Sequence, residues 1–276
     1  MLAIERGEAD QAAGLRRLLS PREARLLALS GTDPERYAPC ALELALAFER
    51  DGTRVLLVDL TRGALARHAG CTLKYELMHV IDRHRRLEQI VLFGPREIPL
   101  LPAARGVRAL ARSANGRARF AQFVERAGDA PQLVIAVSPA EQLDALAQLA
   151  EFDSLLVIAP NDGAELTRCY AALKRAHAAQ RSAPRLVYAG QFDAKAALAA
   201  HARLCETARC FLGREPELVG RLCTHPAGAA RGGLPALSID SLARAIHRWP
   251  PRPITGSARS TQPAARGTYS SVAGGP

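Results

Sequence analysis

From Arg25 onward, short and almost solidly apolar runs alternate with longer stretches in which apolar residues return every three or four positions. The short runs fall at 25–30, 54–59, 132–137, 154–159 and 185–190, with a weaker sixth at 217–223. Val55-Leu56-Leu57-Val58 and Leu155-Leu156-Val157-Ile158 show no polar alternation, the mark of strands covered on both faces and hence of parallel sheet. The helical stretches, at 38–50, 115–127, 140–149, 164–179 and 194–212, are each long enough for a right-handed crossover between parallel strands. The pattern predicts an α/β fold: a doubly wound, mainly parallel sheet with helices on both faces. Residues 60–112 are less regular, with a short helical pattern at 75–83 and apolar runs at 89–93 and 98–101.

Two segments stand outside this body. Residues 10–19 predict a helix, with Asp10 as N-cap, an apolar stripe of Ala12, Leu15, Leu18 and Leu19, and Pro21 as its stop. After Trp249 the chain turns to Pro, Gly, Ser, Thr and Ala, too poor in large apolar groups to offset the entropy of ordering. The expected division is therefore an N-terminal helix within 1–22, an α/β domain over 23–249 and a disordered tail over 250–276. Leu242, Ala245, Ile246 and Trp249 share one helical face, predicted to dock on the core.

Composition narrows the setting more than the chemistry. The chain has 276 residues, of which 48% are hydrophobic, but no apolar run approaches the ~18 residues of a membrane span, and Met1 to Arg6 does not open a signal peptide. A cytoplasmic protein is expected, with its six cysteines buried and unpaired. The balance of 37 basic to 27 acidic residues gives +10. The excess is arginine spread along the chain, lysine occurring only at 74, 174 and 195, and no arginine run is interleaved with aromatics; no specific nucleic acid is expected. His68-x-x-Cys71 and Cys205-x-x-x-x-Cys210 do not match paired zinc spacings. Ser138 and His79 lack the context of a nucleophile and its base.

The first helix carries Asp10-Gln11-Ala12-Ala13-Gly14-Leu15-Arg16. This resembles the D-Q-A-x-x-L-R signature at the N-terminus of the FlhG/FleN flagellar-number regulators, which belong to the MinD/ParA-like P-loop ATPases. Further landmarks follow in order: Glu43-Leu44-Ala45 is similar to the N-L-A after the P-loop, Asp59 to the first residue of D-x-D, Cys169 to Lys174 to the T-D-A-Y-A-L-I-K element, and Leu186 to Gln191 to V-V-V-N-Q. The resemblance implies that Asp10, Gln11, Ala12, Leu15 and Arg16 bind an FlhF-like signal-recognition-type GTPase and stimulate its GTP hydrolysis. Flagellar basal-body or polar components are further candidate partners, at the cell pole or the inner membrane. From the residues themselves two readings stay open: a helix in a partner's groove, or a stripe packed on the protein's own body.

The same resemblance lays the family's S-G-K-G-G-V-G-K-T loop over residues 30–38. A phosphate cradle needs backbone N–H groups in a Gly-rich turn, a lysine and a hydroxyl for Mg²⁺. Here Gly31 remains, Thr32 and Tyr37 stand at the lysine positions, and Ala38 stands at the hydroxyl position. Asp33 and Glu35 add negative charge, Thr61 replaces the second Asp of D-x-D, and Ala136 or Val137 falls where the Walker B Asp belongs. The expectation is a degenerate nucleotide site with no catalytic residue, metal, ATP or Mg²⁺, in a non-catalytic regulator of flagellar number or placement. The alternatives are a divergent ATPase of this family and a basic scaffold for DNA or a polar machine. The 242–249 face is also similar to the membrane-targeting helix of MinD-like proteins, but it is short, and membrane association is expected to be weak or absent.

Overall fold

The computed structural model of the protein describes residues 24–160, 166–179, 184–189, 194–222 and 236–249. Its first strand, β1 (Arg25–Gly31), explains why the apolar runs do not alternate. Leu26 and Ala28 point into one helical layer, while Leu27 and Leu29 point into the other. Successive side chains leave a strand on opposite faces, so a strand covered on both sides is apolar throughout.

The remaining strands are β2 (Val55–Asp59), β3 (Leu92–Phe93), β4 (Pro99–Pro102), β5 (Leu133–Val137), β6 (Ser154–Pro160), β7 (Arg185–Ala189), β8 (Glu217–Leu222) and β9 (Ala236–Leu237). They form one sheet in the order β3-β4-β2-β5-β1-β6-β7-β8-β9. Every neighbouring pair is parallel except β3 with β4. In the centre Ala28 pairs with Ala136 on one side and with Leu155 on the other.

One face is covered by α1 (Pro34–Arg50), α2 (Ala64–His68) and α9 (Ile239–Arg248). The other face carries α3 (Leu77–Ile81), α4 (Ala104–Ala111), α5 (Gly116–Ala127), α6 (Leu143–Leu149), α7 (Leu166–Ala179) and α8 (Ala194–Leu212). Of the predicted face of α9, Leu242 and Ile246 are buried in the layer that α1 forms and Trp249 packs half-buried against it, while Ala243 is buried in place of the half-buried Ala245. Its C-terminal end is clasped by Arg25, whose guanidinium donates to the carbonyls of Ile246, His247 and Trp249 at 3.3, 3.4 and 3.1 Å. Arg185 from β7 stacks 4.1 Å over the Trp249 ring.

Three expectations shift. Helix α1 starts at Pro34 and not at 38, because proline is preorganised for the first helical position and Asp33 caps it. The 140–149 helix opens as a 3-10 turn, Ala140–Gln142, before α6. Of the five described cysteines only Cys169 is buried; Cys40, Cys71 and Cys205 are half-buried, Cys210 is exposed, and all five are free thiols. An apolar neighbourhood in sequence does not fix which face of a helix a residue takes, and Cys210 lies on the outer face of α8. Among the described residues no helix is long and apolar enough to cross a membrane, and no cluster of His, Cys, Asp and Glu is placed to hold a metal. The segment with Asp10, Gln11, Ala12, Leu15 and Arg16, the positions Gly190, Gln191 and Cys223, and the tail lie outside the described residues.

Candidate functional site

In an open α/β sheet ligands bind beyond the carboxyl ends of the strands, where the connections diverge to either side. Here that point is β1, from which the chain runs to β2 on one flank and later returns to β6 on the other. Between β1 and α1 lie only Thr32 and Asp33. Asp33 is extended (φ −138°, ψ 115°), and its carboxylate accepts the backbone N–H of Glu35 at 3.0 Å. Its carbonyl accepts from Arg36 and Tyr37 at 3.0 and 3.2 Å. Arg36 Nε lies 3.7 Å from the same carboxylate. Glu35 is ion-paired in turn with Arg67 and lies within hydrogen-bond distance of His68 Nε2, at 3.1 Å, both residues on α2. The positive end of the helix dipole thus already faces the chain's own carboxylates.

The two positions aligned with the family's second lysine and its Mg²⁺ hydroxyl lie in the first turns of α1. Tyr37 and Ala38 are both buried in the apolar layer under that helix. The Tyr37 ring lies on the bare face of Gly31: a Cβ there would sit 2.6 Å from Tyr37 Cδ1 and 2.7 Å from the Ile158 carbonyl oxygen. Only glycine allows this approach. The Tyr37 hydroxyl is buried without a hydrogen-bond partner. Burial, followed by the negative charges of Glu141, Asp59 and Asp33, pushes its ionisation far above the usual phenol range.

Asp59, at the end of β2, is buried on the same face. One carboxylate oxygen accepts from the Thr61 backbone N–H and hydroxyl at 2.7 and 2.5 Å, and the other accepts from Ala66 N at 3.3 Å. The Thr61 hydroxyl oxygen accepts from Leu65 N at 3.0 Å. The pair forms the cap of α2. Burial holds the Asp59 carboxyl above its usual value, and the bonds from Thr61, Ala66 and Gly63 pull it back in part.

On β5, Ala136 faces the α5 to α7 layer and Val137 faces α1. Beyond them Ser138 donates to the Pro139 carbonyl at 3.0 Å. Gln142 donates from Nε2 to the Leu60 carbonyl at 3.1 Å, while its Oε1 and the Ser30 hydroxyl are buried and unpaired. His79 is engaged with the Glu76 backbone, so Ser138 and His79 serve separate local bonds. The clasp of Glu35 by α2 and the brace from Gln142 were not visible in the sequence. Only Pro34-Glu35 at a helix start hinted that Glu35 would favour the N-terminus.

These residues do not fit a triphosphate with its magnesium. The turn has two residues between strand and helix, carboxylates stand at the helix N-terminus, neither the turn nor α1 contains a lysine, and a tyrosine ring covers the one remaining glycine. What the arrangement does is tie α1 to β1 and α2 through side chains of the chain itself.

A parallel sheet with β1 between β5 and β6, and with its first crossover helix rising from the carboxyl edge, is the architecture of the P-loop nucleotide hydrolases. Within that class the fold is that of the MinD/ParA type. The chain is similar to the MinD cell division protein of Aquifex aeolicus (13% identity, TM-score 0.55, covering 81% of this chain and 97% of that one). It is similar also to the cell division ATPase MinD of Pyrococcus furiosus (15%, 0.52, 81% and 98%) and to apo McdA of Cyanthece (13%, 0.53, 74% and 87%). No protein-family model matches the sequence, and no curated protein matches it.

Proposed function

We propose that the protein is a non-catalytic, MinD-like regulator of flagellar number or placement, which binds an FlhF-like GTPase through residues 10–19 and stimulates GTP hydrolysis there. The observation that carries the partner is the Asp10-Gln11-Ala12-x-x-Leu15-Arg16 sequence in front of a body of MinD type. A glutamine on such a helix can orient a hydrolytic water, and the leucines are suited to a groove. The self-capped β1–α1 turn supports the absence of ATP turnover: a phosphate chain would have to displace Asp33 and the Tyr37 ring at once.

The test is GTP hydrolysis by an FlhF-type GTPase with and without the full-length protein. Acceleration that is lost in Gln11→Ala supports the reading, and no acceleration removes it. ATP turnover by the purified chain, abolished in Asp59→Asn, would replace it with a divergent ATPase.

A further inference from the structure

Two strands along from the β1 turn, the same edge of the sheet holds a cavity of about 520 Å³ between the turn after β2, residues 73–76, α3 and the start of α4. Arg62, Lys74, Tyr75, His79, Arg105 and Arg108 line it. Its only carboxylate among the described residues is Glu76, which is already committed: it accepts from the Arg105 backbone N–H at 2.9 Å and is ion-paired with the Arg105 guanidinium. Arg62, Lys74 and Arg108 have no carboxylate partner among the described residues. Four cations against one carboxylate leave three positive charges around one concavity.

The wall is braced in place. The Arg85 guanidinium stacks 4.5 Å over the Tyr75 ring and donates to its hydroxyl at 2.9 Å, and the His79 ring meets Tyr75 edge-on at 5.3 Å. Arg62 is held in the left-handed region (φ 60°) directly after Thr61, which is locked to Asp59. Three cations without carboxylate partners around one concavity leave a positive potential there, screened in part by water and salt, that attracts an anion. The volume suits a small molecule, and arginine with lysine is the donor set that binds phosphate oxygens. A single carboxylate would neutralise one charge of three.

We infer that this cavity binds a small ligand carrying two or more linked phosphate groups. The inference does not rest on the proposed loss of ATP turnover, since the cavity shares no residue with the β1–α1 turn.

Isothermal titration of the full chain with tripolyphosphate at low salt tests it. One saturable site is expected, weakened roughly tenfold or more in the Arg62→Ser/Arg108→Ser double variant. A control double variant, Arg117→Ser/Arg248→Ser, removes the same charge from distant exposed positions and is expected to bind like the wild type. Because Arg62, Arg108, Arg117 and Arg248 make no ion pair among the described residues, both doubles should fold. Absence of a saturable site, or equal weakening by both doubles, overturns the inference. Pyrophosphate and ADP titrated in parallel distinguish a bare phosphate chain from a nucleotide, and binding of either that depends on Arg62 and Arg108 upholds it.

Discussion

Tyr37 is buried in the apolar layer under α1, and its hydroxyl has no hydrogen-bond partner. Removing an unsatisfied buried hydroxyl is close to neutral or stabilising. Tyr37→Phe should therefore unfold in urea within about 1 kcal/mol of the wild type or above it. Tyr37→Lys puts the aligned lysine back but buries a cation, whose desolvation the charges of Glu141, Asp59 and Asp33 offset only in part, and a loss of about 1–3 kcal/mol is expected from the same measurement. Gly31→Ala forces its methyl against Tyr37 Cδ1 and the Ile158 carbonyl. The backbone of β6 cannot retreat as a side-chain tip can, so a loss of about 1–3 kcal/mol is expected.

At the scale of elements, α1 depends on a cap that doubles as an anion. Asp33→Ala should cost about 1 kcal/mol in urea unfolding, while Asp33→Asn, itself a good N-cap, should stay within a few tenths. A larger loss in the asparagine variant would show that the Arg36 contact, and not the cap, matters at this position. The main strands were legible because two covered faces make an unbroken apolar run, as in Val55 to Val58 and Leu155 to Ile158. The 60–112 stretch was not, since α2 and α3 have five residues each, β3 has two, and β4 is bounded by Pro99 and Pro102. Such lengths are too short to display a period. Of the candidate site, the substitutions at 32–38 could be read directly, but their consequences could not. Glu35 meets Arg67 and His68 across 32 and 33 positions, and the Tyr37 ring covers Gly31 only because the helix begins a turn early.

For the whole molecule, stability should depend on pH through His201. This ring on α8 lies against Tyr188 of β7, with Nδ1 3.2 Å from the Tyr188 hydroxyl and Nε2 3.4 Å from Cys205 Sγ. Burial pushes its pKa below the ordinary histidine value, against a smaller opposing pull from Glu215. The unfolded chain therefore binds the proton more readily than the folded one. The stabilisation is complete above the unfolded pKa of about 6.5 and is lost as pH falls through the lowered folded value. Urea midpoints measured from pH 7.5 down to 5 should fall, and less so in His201→Gln; parallel curves for the two proteins would exclude this residue as the source. One further consequence follows from the clasp of Arg25 on the end of α9. Because the Arg25 side chain reaches the Trp249 carbonyl, the start of β1 and the end of α9 meet at one junction of the body. That junction lies roughly 20 Å from the Gly31 turn, the length of the seven-residue β1. A fluorescent donor at Ala24 and an acceptor at Trp249 should therefore stay close while α9 is docked, and the loss of their energy transfer in urea would time the release of that helix against the unfolding of the sheet.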